Sequence, residues 1–86
     1  MEYLWTVYML RVRTGELYCG IAKDVAKRLE EHNAGKGSKF VKSRLPAKVV
    51  WQEPAGSLGE ALRREREIKK LTKVCKEALV ENWKNK

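Results

Sequence analysis

Cysteine and histidine are scarce in this 86-residue chain, which holds two of the former, Cys19 and Cys75, and one of the latter, His32. So few soft ligands exclude a zinc site of ordinary composition, and they imply no disulfide framework. Both thiols are expected to act as small apolar residues in a reducing cytosol. No apolar run approaches the roughly 20 residues that cross a bilayer. The start, Met1-Glu2-Tyr3-Leu4-Trp5, has neither the basic lead nor the small-residue cleavage site of a secretory signal. The expected setting is therefore soluble and cytoplasmic. Internal repeats, linkers and low-complexity tracts are also missing, so residues 1–86 read as one domain with one core.

Acidic residues are outnumbered. Nineteen lysines and arginines face eleven aspartates and glutamates, for a net charge of +8 and a hydrophobic fraction of 43%, ordinary for a folded protein. A polyanionic partner is the natural inference, and excess charge serving solubility is the plain alternative. Where the charges lie must decide between them.

Leu4 to Val12 is almost continuously apolar and rich in β-branched and aromatic residues, as in a strand covered on both faces. Leu17 to Ile21 is a second strand. Arg13-Thr14-Gly15 suits a three-residue hairpin loop with Gly15 in the left-handed position. If Val12 then opposes Glu16, Tyr8 opposes Gly20 and Leu10 opposes Tyr18, which puts both tyrosines on one face. A two-residue Thr14-Gly15 turn would separate them.

Asp24 is placed to cap a helix whose core side is Val25, Ala26 and Leu29, and which ends at Asn33-Ala34-Gly35. Arg28 and His32 lie one turn apart on it and lean toward the sheet. Lys36 to Lys48, with Gly37, Ser38, Pro46 and several basic residues, reads as an exposed loop. Val49 to Glu53 is a third strand, stopped by Pro54. Two helices follow, from about Ser57 to Thr72 and from about Lys73 to Trp83. The fold class is α+β: a small, mainly antiparallel three-stranded sheet flanked by about three helices.

Within the first of these last two helices, Leu58, Ala61, Leu62 and Ile68 form an apolar stripe, and Glu65 projects into its middle. A carboxylate on that face is expected to be paired, protonated or bound to metal. A surface pair with Lys69 contributes only about 0.3–0.5 kcal/mol, too little to account for placing it there. Each remaining candidate also has a plain reading. Tyr8 and Tyr18 could be ordinary strand aromatics, Arg28 a surface charge, and His32 a hydrogen-bonded residue near a helix end. Their coincidence is what points to chemistry.

The ordered pattern Y-x9-Y-x9-R-x3-H, from Tyr8 through Tyr18, Arg28 and His32, with Glu65 on a later helix, resembles the GIY-YIG nuclease family over most of the chain. Thr6-Val7-Tyr8 and Tyr18-Cys19-Gly20 stand in the places of its two signature triplets. Glu31 to Gly37 and Arg63-Arg64-Glu65-Arg66 are similar to stretches of its small stand-alone bacterial members, the YhbQ-like group. Thr6, Val7 and Cys19 depart from the signature, and the family's downstream asparagine has no counterpart around Lys76 and Glu77; Asn82 lies further on.

The resemblance implies a metal-dependent endonuclease that cleaves nucleic-acid phosphodiesters, DNA first among them, in repair or recombination in the bacterial cytosol or nucleoid. It also implies one divalent ion, Mg²⁺ or Mn²⁺, held by Glu65. Physical need then assigns Arg28 to the scissile phosphate, whose paired oxygens match its planar fork. Tyr8 orients or deprotonates the attacking water. This requires that nearby positive charge lower its pKa or that its proton move onward. Tyr18 would bind phosphate or the same water, and His32 would relay protons.

Lys36, Lys39, Lys42, Arg44 and Lys48, with Arg63, Arg64, Arg66, Lys69, Lys70 and Lys73, would grip the backbone, without sequence readout. Phe40 would stack on an unpaired base or anchor its loop, and Trp83 would seal the core or meet a second copy. Two rival classes remain: a DNA-binding module of this fold without useful catalysis, and an adaptor whose basic face docks on an acidic protein.

Overall fold

In a computed structural model describing residues 4–85, the alternation of the first strand organises everything else. β1 (Trp5–Val12) lies between β2 (Leu17–Ala22) and β3 (Ala47–Gly56), and both pairings are antiparallel. Thr6, Tyr8, Leu10 and Val12 face one side of the sheet, and Trp5, Val7, Met9 and Arg11 the other. Because helices cover both sides, Val7, Tyr8, Met9 and Leu10 are all buried in succession. The hairpin has the expected loop: Gly15 sits at φ 96°, Val12 pairs with Glu16, and Tyr8 is opposite Gly20.

α1 (Val25–Asn33) and the short α2 (Lys39–Lys42) cover the tyrosine side. Asp24 caps α1 by accepting a hydrogen bond from the Lys27 amide. The sheet-facing positions of α1 are Val25, Arg28, Leu29 and His32; Ala26, expected in the core, is exposed, because His32 completes the stripe in its place. The Asn33 side-chain amide binds both backbone polar groups of Ala47, clasping the end of α1 to the start of β3. The segment expected as an exposed loop instead folds into α2, with Ser38 as its cap and Val41 fully buried.

α3 (Leu58–Lys69) and α4 (Lys73–Lys84) cover the opposite side. Ser57 and Glu60 form a capping box at the start of α3, and Thr72 caps α4. The buried face of α3 is turned by about one residue from the expected stripe. Ala61 and Ile68 are buried, while Leu58 and Leu62 are 46% and 39% exposed. The residues between Ala61 and Ile68 on that face are Arg64 and Glu65. Trp83 packs partly buried against this half of the core.

β3 continues through Pro54, contrary to expectation. An edge strand tolerates a residue without an N–H, and here register shifts between Trp5 and Thr6 and between Met9 and Leu10 absorb the irregularity. Val50, the residue skipped at the second shift, joins Trp51 on the α3–α4 side.

Two arginine forks tie those helices to the sheet. Arg64 of α3 reaches Glu53 of β3 at 2.8 and 3.4 Å, and Arg11 of β1 meets Glu77 of α4 at 2.6 and 2.7 Å. The Arg11 fork holds the Glu77 carboxyl below its ordinary range by hydrogen bonding and charge. The unfolded state binds that proton more readily, so the stabilisation is present above the ordinary glutamate pKa and lost as pH falls below it. An Arg11→Met, Glu77→Gln double-mutant cycle is expected to give a coupling of about 0.5–1 kcal/mol at neutral pH, fading as pH falls from the ordinary glutamate range through the lowered Glu77 value. Urea unfolding across pH 3–7 measures it, and a coupling unchanged at low pH would contradict the assignment.

Candidate active site

Tyr8 stands at the middle of the central strand, where its side chain must cross the buried α1 side to find a polar partner. It finds one in His32, whose Nε2 lies 3.0 Å from the Tyr8 hydroxyl. His32 is 0% exposed, and its ring is set edge-on to both Tyr8 and Tyr18, with centroids 6.2 and 5.5 Å away. Arg28, one turn earlier on α1, sets its positive charge beside Tyr8 and pairs with Glu31 at 3.3 Å. The structure thus gathers Tyr8, Tyr18, Arg28 and His32 on one side of the sheet.

Two glycines make room for this cluster. A Cβ on Gly20, directly opposite Tyr8, would sit 2.6 Å from the tyrosine oxygen, and one on Gly37 would sit 2.0 Å from His32 Nδ1. Gly20 was legible from the hairpin register. Gly37 was read as a loop residue at the end of the family-like stretch Glu31 to Gly37, and no periodicity could have linked it to a histidine in the preceding helix.

Burial sets the protonation states. It pushes the Tyr8 pKa up to about 12, aided by the Tyr18 hydroxyl, and the lowering influence of Arg28 does not offset it. Tyr8 is therefore a protonated phenol at neutral pH. Of the two routes by which it could serve as a base, lowering by positive charge is not the one built here. Burial and the Arg28 charge depress the His32 pKa below its ordinary value, leaving a neutral imidazole able to accept at Nε2. Its Nδ1 has no hydrogen-bond partner.

Glu65 lies on the other side of the sheet. Its side chain is 17% exposed and pairs with Lys69 at 3.4 Å. The Cys19 thiol, in the edge strand β2, is pushed up to about 11 chiefly by burial and secondarily by the Glu65 charge. Cys19 is next in sequence to Tyr18, so only the thickness of the edge strand separates the two parts of the candidate site. Cys75, expected to be apolar filling, is exposed. No group of three or more histidines, cysteines, aspartates or glutamates is clustered among the described residues. One half-buried carboxylate with a loose lysine contact suits a hard cation that keeps most of its waters and completes its shell with substrate oxygens. It does not suit a closed protein cage.

The basic residues divide. Arg64 is committed to Glu53 and Glu67, and Arg44 to Glu16 and the Phe40 ring. Lys36, Lys39, Lys42, Arg63 and Lys69 are exposed, with Lys69 on Glu65. Phe40 stacks on Tyr18 and so anchors its segment. Glu77 is held by Arg11.

The model of the GIY-YIG catalytic domain matches residues 4–78. The chain belongs to the GIY-YIG family. It is 46% identical over 76 residues to a UPF0213 protein of Pseudomonas aeruginosa, covering 88% of this chain and 73% of that one. With a UPF0213 protein of Aeromonas salmonicida the identity is 42% over 77 residues, covering 90% of this chain and 57% of the relative. The solution NMR structure of the UPF0213 protein of Bacillus halodurans superposes with a TM-score of 0.58 at 37% identity, over 91% of this chain and 83% of that one. The expected family and α+β fold are those found. No helix among the described residues is long and apolar enough to cross a membrane.

As the lone histidine, His32 gives a single imidazole resonance to follow. Its midpoint is expected below 6.5, the ordinary value. A neutral buried histidine means that the unfolded chain takes up the proton first, so stability falls as pH drops below that value. Gly37→Ala is expected to cost about 1–3 kcal/mol by overpacking and to return the midpoint toward 6.5. NMR titration of both proteins checks this, and an unshifted midpoint in Gly37→Ala would refute the packing role of Gly37.

Proposed function

We propose that the protein is a metal-dependent endonuclease that hydrolyses DNA phosphodiesters, acting in repair or recombination in the bacterial cytosol. The observation that carries this reading is the buried Tyr8–His32 hydrogen bond beside Arg28. A protonated tyrosine on a neutral histidine is a two-member proton relay, and the adjacent guanidinium supplies fixed positive charge for a phosphate.

Hydrolysis needs a positioned water, relief of charge on the phosphoryl oxygens and a stabilised leaving oxygen. Arg28 contributes the second, since its fork matches paired oxygens and retains its charge at every working pH. Tyr8 takes a proton from the attacking water as its own passes to His32 Nε2. This route avoids a free phenolate, which a pKa of about 12 forbids near neutrality. Tyr18, with its ring against His32, binds the phosphate or the same water from the edge strand. Glu65 would hold the divalent ion, which when bound supplies Lewis-acid stabilisation of the leaving oxygen. β2 is an edge strand, so a phosphodiester lying along its outer margin can meet Tyr18 on one side and the Glu65 carboxylate on the other.

Lys36, Lys39 and Lys42 beside α2 and Arg63 on α3 would hold the nucleic-acid backbone on either side of that margin. Lysines grip phosphate as point charges and read no bases, so binding follows shape and salt rather than sequence.

Supercoiled plasmid is expected to be nicked at low salt with Mg²⁺ or Mn²⁺ and not with chelator. Glu65→Ala and Arg28→Ala should lower the rate about 100-fold or more, and Tyr8→Phe should follow within the about 100- to 10,000-fold range of lost acid–base assistance. Binding affinity should fall with salt at a log–log slope of about −0.9 per phosphate contacted. Binding without cleavage by the wild type would instead identify a DNA-binding module. That reading draws on the absence of the family's asparagine and the engagement of Glu77 by Arg11.

A further inference from the structure

Tyr18 projects from an edge strand and is partly exposed, yet the proposed chemistry needs its ring fixed. On one side it meets the edge of His32, centroids 5.5 Å apart at an interplanar angle of 68°. Against it also lies Phe40, nearly parallel, at 6.3 Å and 20°. Offset stacking of this kind restrains a ring where edge-strand packing alone would not. The Arg44 guanidinium lies 4.0 Å over the Phe40 ring, so Phe40 is in contact with Tyr18 and Arg44 alike.

Phe40 and Arg44 are themselves fixed. Val41, next to Phe40, is fully buried, and Ser38 Oγ accepts from the Phe40 amide at 3.1 Å. Arg44 donates to the Phe40 carbonyl at 3.0 Å and pairs with Glu16 at 3.4 Å. Glu16 stands immediately before β2, the strand that carries Tyr18. The α2 segment is thus clasped to the strand whose tyrosine it covers. Phe40 is thus held by contacts to both Tyr18 and Arg44.

We propose that Phe40 is a positioning residue for Tyr18, and that Arg44 acts as the clamp that holds Phe40 in place instead of binding DNA phosphate. This rests on the nuclease reading, in which Tyr18 touches the substrate. A side chain that must sit within a fraction of an ångström of its productive position loses rate, not affinity, when its support is removed.

The test compares Phe40→Leu, Phe40→Tyr and Arg44→Met with wild type. It uses single-turnover plasmid nicking, duplex binding, and NMR of the Tyr18 ring with its cross-peak to the His32 imidazole. Phe40→Leu is expected to slow nicking about 10-fold or more while duplex affinity changes less than about twofold. The Tyr18 ring signals should shift and the cross-peak to His32 should weaken. Phe40→Tyr should restore both rate and spectrum, and Arg44→Met should move both part of the way. If Phe40→Leu does not fold, the surface variant Arg44→Met decides by the same readings.

An unchanged Tyr18 spectrum in the folded variants overturns the proposal, whether or not the protein cleaves DNA. Loss of duplex affinity in proportion to rate also overturns it and makes these residues DNA contacts. A wild type that never nicks defeats the nuclease reading, while the ring signals still settle whether Phe40 holds Tyr18.

Discussion

The hydrogen bond between Tyr8 and His32 is the constraint on which the other features depend. It joins the central strand to the helix that covers it, with both side chains almost wholly buried. A buried hydroxyl and imidazole are tolerated only when they satisfy one another. Gly20 is a glycine because the Tyr8 ring lies over it, and Gly37 because the imidazole lies against it. Arg28 can rest on Tyr8 without an acidic partner inside because its other contact is the surface carboxylate of Glu31. The orphaned Nδ1 of His32 is the one polar atom that this arrangement leaves buried without a partner among the described residues.

Arginine and lysine have separate jobs in this protein, although composition alone cannot tell them apart. Arg11, Arg44 and Arg64 each bind a carboxylate on another element and hold helices or loops to the sheet. The planar fork makes such contacts directional, which a lysine ammonium cannot do. Lysines supply most of the exposed charge near the candidate site. The net charge of +8 therefore overstates what is free to meet a polyanion on the arginine side and describes the lysines well.

Much of the fold was legible because it rests on short-range rules. The Gly15 hairpin, the Asp24 cap, the break between α3 and α4 and the facing of Tyr8 toward Tyr18 all follow from turn chemistry and strand alternation. What escaped depends on contacts between distant segments. α2 forms because Val41 finds a place in the core, in a stretch whose glycines, proline and lysines read as loop. β3 passes Pro54 because it is an edge strand with shifted register, and strand order cannot be read from the residues of one strand. The stripe of α3 turned because Arg64 takes Glu53 as its partner, which draws that residue inward and leaves Leu58 and Leu62 at the surface. Of the site, the tyrosine, arginine and histidine spacing was visible from period and register. The fact that α3 approaches from the opposite side of the sheet was not.

A sheet of three strands has two open margins, and each is a template for unwanted pairing with another chain. On the β2 side the strand is only six residues long and is bracketed by Glu16 and Lys23. On the β3 side two bulges bend the strand, and Pro54 has no N–H to offer a neighbour. The irregularities that make β3 a poor strand by propensity are thus what discourage the sheet from recruiting a fourth strand and growing into an aggregate.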